Sequence, residues 1–146
     1  MSVTIIDSFS GPYFFLSNFY RMPIEYQGAY YRTIAYAFEA SKTSNFTRRE
    51  QIRNAPTMGK ARRLGRDILL APEWTSSRVP IMRILLELKF SAENQTTRQL
   101  LLDTKDYHLI KGNNWGDTFW GVCEGKGENM LGRLLMNIRE EIRAEQ

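Results

Sequence analysis

Three groups of side chains in this sequence could do chemistry. The first lies in GNNWGDTFWGVCEGKGENMLGRLL, Gly112 to Leu135, where five glycines, two tryptophans and one aspartate precede an apolar run that starts at Met130. Glycines allow positive φ and close backbone approach. The N–H groups of such a loop, where it feeds a helix N-terminus, can hold an anion. Gly125-Lys126-Gly127 ahead of Asn129 fits that picture, with Asn129 capping the helix and Lys126 supplying charge. The G-x-x-x-x-G-K-[ST] spacing of a P-loop is absent. The plainer alternative is a tight connection around the core, with Trp115 and Trp120 as packing. Asp117 lies between those rings. It is a carboxylate with a raised pKa, a holder of sugar hydroxyls, or simply a turn residue.

The second group is in TIAYAFEASKT, residues 33–43. On a helix, Ala35, Phe38, Glu39 and Lys42 share one face. A Glu–Lys pair three apart is most often a solvated surface pair of little energetic weight, and the residues alone favour that reading. In a cleft the same lysine can lose its proton and act as a nucleophile. The third group is MGKARRLGR, residues 58–66. Arg62 and Arg66, four apart, form either a two-pronged anion clamp or part of a solvated basic face. His108 is the single histidine, the one imidazole available as a base, and in its strand-like setting a structural role is the commoner one.

These groups need elements to position them. Residues 1–32 read as extended chain and loop. Val3–Ile6 forms a short strand, and Pro23–Tyr26 and Ala29–Arg32 form a hairpin about Gln27-Gly28. Thr33 caps a helix running to about Ser44. Thr47, with Glu50 three residues on, suggests a capping box. Thr57 starts a helix reaching about Leu69. Ser77 starts a longer one with Pro80 in its first turn and Val79, Met82, Leu86 and Phe90 at helical spacing. Asn94–Asp103 reads as helix and Tyr107–Ile110 as strand. An amphipathic helix over about Met130–Arg143 closes the chain, with Leu131, Leu134, Leu135 and Ile138 on one side. The expected fold is α+β, mainly helical, with a few short strands in one domain over 1–146.

Composition narrows the class. At 146 residues, 42% hydrophobic and 25% charged, the chain suits a soluble globular domain with a real core. A net charge of +4 suits an anionic ligand without implying a nucleic-acid binder. With Cys123 alone, no intramolecular disulfide can form and a zinc site built on cysteines is excluded, so no metal is expected. The start, MSVTIIDSFSGPYFF, lacks a signal-peptide pattern, and no apolar run is long enough to span a membrane. A reducing, cytoplasmic setting is the expectation.

Several pieces occur in a recognisable order. They are Leu16-Ser17-Asn18-Phe19; Tyr31-x-Thr33 leading to Ala37-Phe38-x-Ala40-x-Lys42; Ala61-x-x-x-Gly65-Arg66; Asp117-x-x-Trp120-Gly121; Gly125-Lys126-Gly127-x-Asn129-x-Leu131-Gly132; and Leu134-Leu135-Met136-x-x-Arg139. Each is weak alone, but together they cover nearly the whole chain. The sequence resembles the NADAR (NAD- and ADP-ribose-related) proteins, which include the YbiA-like N-glycosidases. The resemblance implies cleavage of a base from ribose C1′, either in phosphoribosylated pyrimidine intermediates of riboflavin synthesis or in ADP-ribosylated guanine of nucleic acid, without a cofactor. Such chemistry needs a carboxylate facing an oxocarbenium-like centre or guiding water, and an acid for the leaving nitrogen.

The resemblance assigns Lys42 as nucleophile, through a Schiff base with the opened ribose, or as electrostatic partner. Asp117 would orient ribose or water. Phe19 and Trp120 would wall the base, and Arg62, Arg66 and Lys126 would hold phosphates. Asn18 and Asn129 would bind ribose or amide edges, and Ser17, Trp74 and Gly121 complete the expected pocket. One departure is sharp: members usually carry Glu where this chain has Ala35. The alanine is an engineered replacement, a natural change in a member that has become a binder, or a loss for which Glu39, one turn later, compensates. Intact motifs elsewhere favour the first. Three functions follow in order: N-glycosidase, non-catalytic binder of an ADP-ribose-containing nucleotide, and nucleic-acid module.

Overall fold

The computed structural model describes residues 3–68, 70 and 72–146. It is α+β and mainly helical. The chain divides into two compact units, one built from its two ends (residues 1–17 and 90–146) and one from the middle (residues 18–89).

In the unit of the chain ends, strand β1 (Ile5–Ile6) lies parallel to β4 (His108–Leu109), with Ile5 opposite His108 and Ile6 opposite Leu109. Between them in sequence come a 3-10 helix (Gly11–Leu16) and helix α5 (Gln95–Leu102). Then β5 (Gly112–Asn113) pairs in parallel with β6 (Val122–Cys123), and α6 (Met130–Ala144) ends the unit. The leucines of α6 recur every three or four residues, so Leu131, Leu134, Leu135, Ile138 and Ile142 are all buried. Gly132 lets α6 lie against β4, because a Cβ there would overlap the Leu109 carbonyl oxygen. Arg139 is buried with them and donates from Nη1 to Thr104 Oγ1 and to the Tyr107 carbonyl, each at 2.9 Å, closing the turn before β4.

The middle unit starts with the hairpin β2 (Ile24–Tyr26) and β3 (Ala29–Tyr31), turned by Gln27 and Gly28 at φ 51° and 81°. Positive φ at both positions matches the right-handed twist of the strands. Helices α1 (Ile34–Ala40), α2 (Phe46–Arg53), α3 (Met58–Arg66) and α4 (Trp74–Lys89) follow. Thr33 and Thr57 cap α1 and α3 as expected, accepting from Tyr36 N and Lys60 N.

Four boundaries differ from the expectation. Helix α1 stops at Ala40, so Lys42 lies in the turn beyond it. Asn45, not Thr47, caps α2 by accepting from Arg48 N, and Glu50 pairs with Arg53 instead of closing a capping box. Helix α4 begins at Trp74, one turn before Ser77, because Ser76 and Ser77 N–H groups donate back to the Glu73 carbonyl. Pro80 therefore sits in the helix interior. Helix α3 ends at Arg66, with Asp67 as its C-cap, short of the expected end near Leu69. No helix among the described residues is long and apolar enough to cross a membrane.

Candidate active site

Helix α1 and the turn after it bring Glu39 and Lys42 together. Lys42 Nζ lies 2.9 Å from Glu39 Oε2, and the two side chains are only 19% and 12% exposed. This is not the solvated surface pair that the residues alone favoured. The contact is an ion pair without the alignment of a hydrogen bond, and Oε2 is otherwise buried with no donor. The shielding comes from α3. Gly65 is buried, and a Cβ on it would overlap Glu39 Oε2, so only glycine leaves room for the carboxylate there. Although Lys42 is outside the helix, its N–H donates to the Glu39 carbonyl at 3.2 Å, which folds the turn back and keeps the ammonium over the carboxylate.

The same unit holds half of the expected pocket: Asn18, Phe19, Arg62, Arg66 and Trp74 besides Lys42. The Ala35 N–H donates to the Asn18 carbonyl at 3.1 Å, tying the Asn18-Phe19 segment to the first turn of α1. Ala35 is buried, and its methyl group puts no carboxylate at that position. Asn18 Nδ2 faces Met82 Sδ at 3.7 Å, while its Oδ1 is buried without a donor. The Arg62 guanidinium lies over the Phe19 ring, 4.8 Å from its centroid, and Arg62 is exposed on α3. Arg66 is exposed one turn on. Trp74 packs its ring against Phe38, with centroids 5.2 Å apart.

The glycine-rich segment of the other unit is built differently from the expectation. The donors at the start of α6 are taken by protein carbonyls: Asn129 N by Gly121, Met130 N by Phe119 and Leu131 N by Trp120. The anion nest expected there is thus filled by the chain itself. Glu124 and Gly125, at φ 52° and 77°, form a tight turn closed by reciprocal bonds between Cys123 and Lys126. That turn engages the Lys126 backbone and leaves its ammonium exposed. Asn129 holds the N-cap position in left-handed conformation, but its side chain does not cap α6. Its Oδ1 accepts from Lys111 N and its Nδ2 donates to the Leu109 carbonyl, both at 2.9 Å. Both ends of an amide expected to bind ligand are thus engaged by backbone.

Asp117 has three donors around it. Oδ2 is 3.2 Å from Lys111 Nζ, and Oδ1 accepts from Phe119 N at 3.2 Å and Trp120 N at 3.0 Å. Asn113, which the sequence reading passed over, completes this knot. Its Oδ1 accepts from Asp117 N at 2.9 Å and its Nδ2 donates to the carbonyls of Asp117 and Val122. An Asn-Asn-x-Gly-Asp run was the available signal, since Asn and Asp favour such local bonds. Trp120 is half-buried edge-on to Phe119, whereas Trp115 is 64% exposed and does not enclose Asp117. Gly121 is buried where a Cβ would overlap the Lys111 carbonyl. Ser17 terminates the 3-10 helix, donating its N–H to Phe14 O. His108 is exposed on β4.

A model of the NADAR domain matches residues 7–143. The chain belongs to the NADAR domain family. N-glycosidase YbiA of Escherichia coli (strain K12) is 36% identical over 151 residues, spanning 100% of this chain and 93% of that protein. An N-glycosidase of Nostoc punctiforme is 35% identical, over 90% of this chain and 87% of its own length. A riboflavin biosynthesis protein of Vibrio vulnificus is 34% identical, over 88% of this chain but only 35% of its own. The NMR structure of the E. coli protein YbiA superposes with a TM-score of 0.86 at 37% identity, covering 99% of this chain and 88% of that one. The family relationship thus embraces both units.

Proposed function

We propose that this chain is an N-glycosidase that hydrolyses the bond between a nitrogen base and ribose C1′ in a small nucleotide-like compound, phosphoribosyl or ADP-ribosyl in type. The relatives' activity supports the class of reaction. The observation that carries the assignment to residues is the shielded contact of Lys42 Nζ with Glu39 Oε2 at 2.9 Å. On this reading Glu39 supplies the carboxylate that position 35 lacks. It faces the oxocarbenium-like centre as the base departs, or takes a proton from the attacking water. Lys42 fixes that carboxylate and is the amine that meets the ribose. Arg62 and Arg66 hold phosphate, and Phe19 and Trp74 wall the ligand. Asp117 and Asn129 serve the architecture of their loop.

The test is incubation of the protein with a phosphoribosyl pyrimidine, ADP-ribosylated guanosine and an NAD-derived nucleotide, with free base quantified by chromatography. Release from at least one compound is expected. No release by either the chain as it stands or Ala35→Glu removes the enzymatic reading. A second reading, retention of the nucleotide without turnover, is favoured by the missing carboxylate at the buried Ala35. Calorimetry with ADP-ribose separates the two: tight binding by both proteins with no base released identifies a binder.

A further inference from the structure

A cleft lies on the middle unit, with a volume of about 330 Å³. Its lining includes Gln27, Tyr30, Phe46, Arg49, Glu50 and Arg53. Two of these are large rings left in water: Tyr30 is 67% exposed and Phe46 75%. Burial would favour covering both, and singly exposed rings would need no explanation, but here they share one concavity with two guanidinium groups. Those groups are held in place. Arg53 makes a forked pair with Glu50 and donates to the Tyr30 carbonyl. Arg49 donates from Nε to the Thr43 carbonyl and from Nη1 to Gln27 Oε1, which leaves Nη2 to meet a ligand. The charge around them is concentrated. Residues 45–66 carry seven cations and one acid, a net +6, whereas the whole chain is only +4.

Aromatic faces beside fixed guanidinium groups in a basic field are the elements that bind a nucleotide: the rings stack a base and the cations take its phosphate. We propose that this cleft is a nucleotide-binding site separate from the Glu39–Lys42 pair, in which Tyr30 and Phe46 stack a base and Arg49 contacts the adjoining phosphate. The ligand chemistry is shared by a free mononucleotide and by one unit of a single strand. The site does not depend on the chemistry assigned to Glu39 and Lys42.

Fluorescence anisotropy of a short fluorescein-labelled oligothymidylate, with thymidine monophosphate as competitor, tests it. The intact chain binds the strand, and Phe46→Ala or Tyr30→Ala weakens binding about tenfold. Both residues are exposed, so the melting temperature stays unchanged. Arg49→Gln weakens binding and flattens the log–log salt dependence by about 0.7, while Arg133→Gln, an exposed charge on α6, shifts affinity less than about twofold by the same electrostatics. Competition by the monophosphate as strong as that by unlabelled strand, nucleotide for nucleotide, identifies a single-nucleotide site, and weak competition identifies a strand. No binding, or binding indifferent to Phe46→Ala and Arg49→Gln, overturns the proposal.

Discussion

Glu39 is in an unusual position for a charged side chain three residues from a lysine, because a neighbouring helix covers it at a glycine. That makes Gly65 a means of testing the carboxylate without touching it. Gly65→Ala places a methyl where Glu39 Oε2 now sits, so the carboxylate must move. Base release is expected to fall at least tenfold with little loss of stability, because Oε2 is the far end of a flexible side chain that can swing aside. Parallel rate and thermal-melt measurements check both. A second buried charge behaves differently. Burial pushes Lys89 down from its ordinary 10.5 to about 7. The Tyr20 ring, 5.5 Å from its ammonium, favours the charged form but is outweighed. Between these values the unfolded chain holds a proton that the folded chain has released, so unfolding free energy rises with pH, by at most about 1.4 kcal/mol per unit. Denaturant titrations at pH 7.5 and 9, chosen within that window, should show this rise in the unaltered chain and its loss in Lys89→Met. An identical slope in the variant contradicts the assignment.

At the scale of elements, caps and turns divide the work. The Thr33 cap sets where α1 begins and hence which residues face Gly65. Thr33→Ala is expected to cost about 1 kcal/mol, read as a shift in denaturation midpoint. The loop from Asn113 to Trp120 is wound around two side chains. Asp117→Asn keeps one acceptor but loses the ion pair with Lys111, so a lower melting temperature should accompany any loss of activity. A loss of activity at unchanged melting temperature would return Asp117 to the chemistry. Much of this level was legible in the sequence. Thr57, Asn94, Gln27-Gly28 and the leucine repeat of α6 are local signals, and the elements they mark formed where expected. What was not legible depends on partners distant in sequence. The β5–β6 pairing joins two two-residue strands, too short to have a period. The filling of the α6 N-terminus by carbonyls of residues 119–121 is likewise invisible in a motif whose glycines also suit an anion. The end of α1 at Ala40 escaped because TIAYAFEASK continues a helical pattern past the residue where the chain turns.

Across the whole molecule, the family relationship covers both compact units, yet the reactive contact and most of its neighbours lie in one of them. Of the residues the resemblance places in a pocket, Asn18 accepts from Ala35 N of α1, Trp74 pairs its ring with Phe38 of α1, and Arg62 of α3 lies over the Phe19 ring. The glycine-rich segment holds its own loop together, and the proposed chemistry lies at the α1–α3 contact. On the proposed reading that contact supplies, a turn away, the carboxylate that position 35 lacks, and Glu39 is the residue on which activity should depend. The most direct measurement is the rate of base release from the phosphoribosyl pyrimidine by Glu39→Gln against the unaltered chain at matched folded concentration. A loss of about 100-fold or more is predicted, as for removal of a group that handles charge or a proton in the transition state. Equal rates in the two proteins would contradict the account.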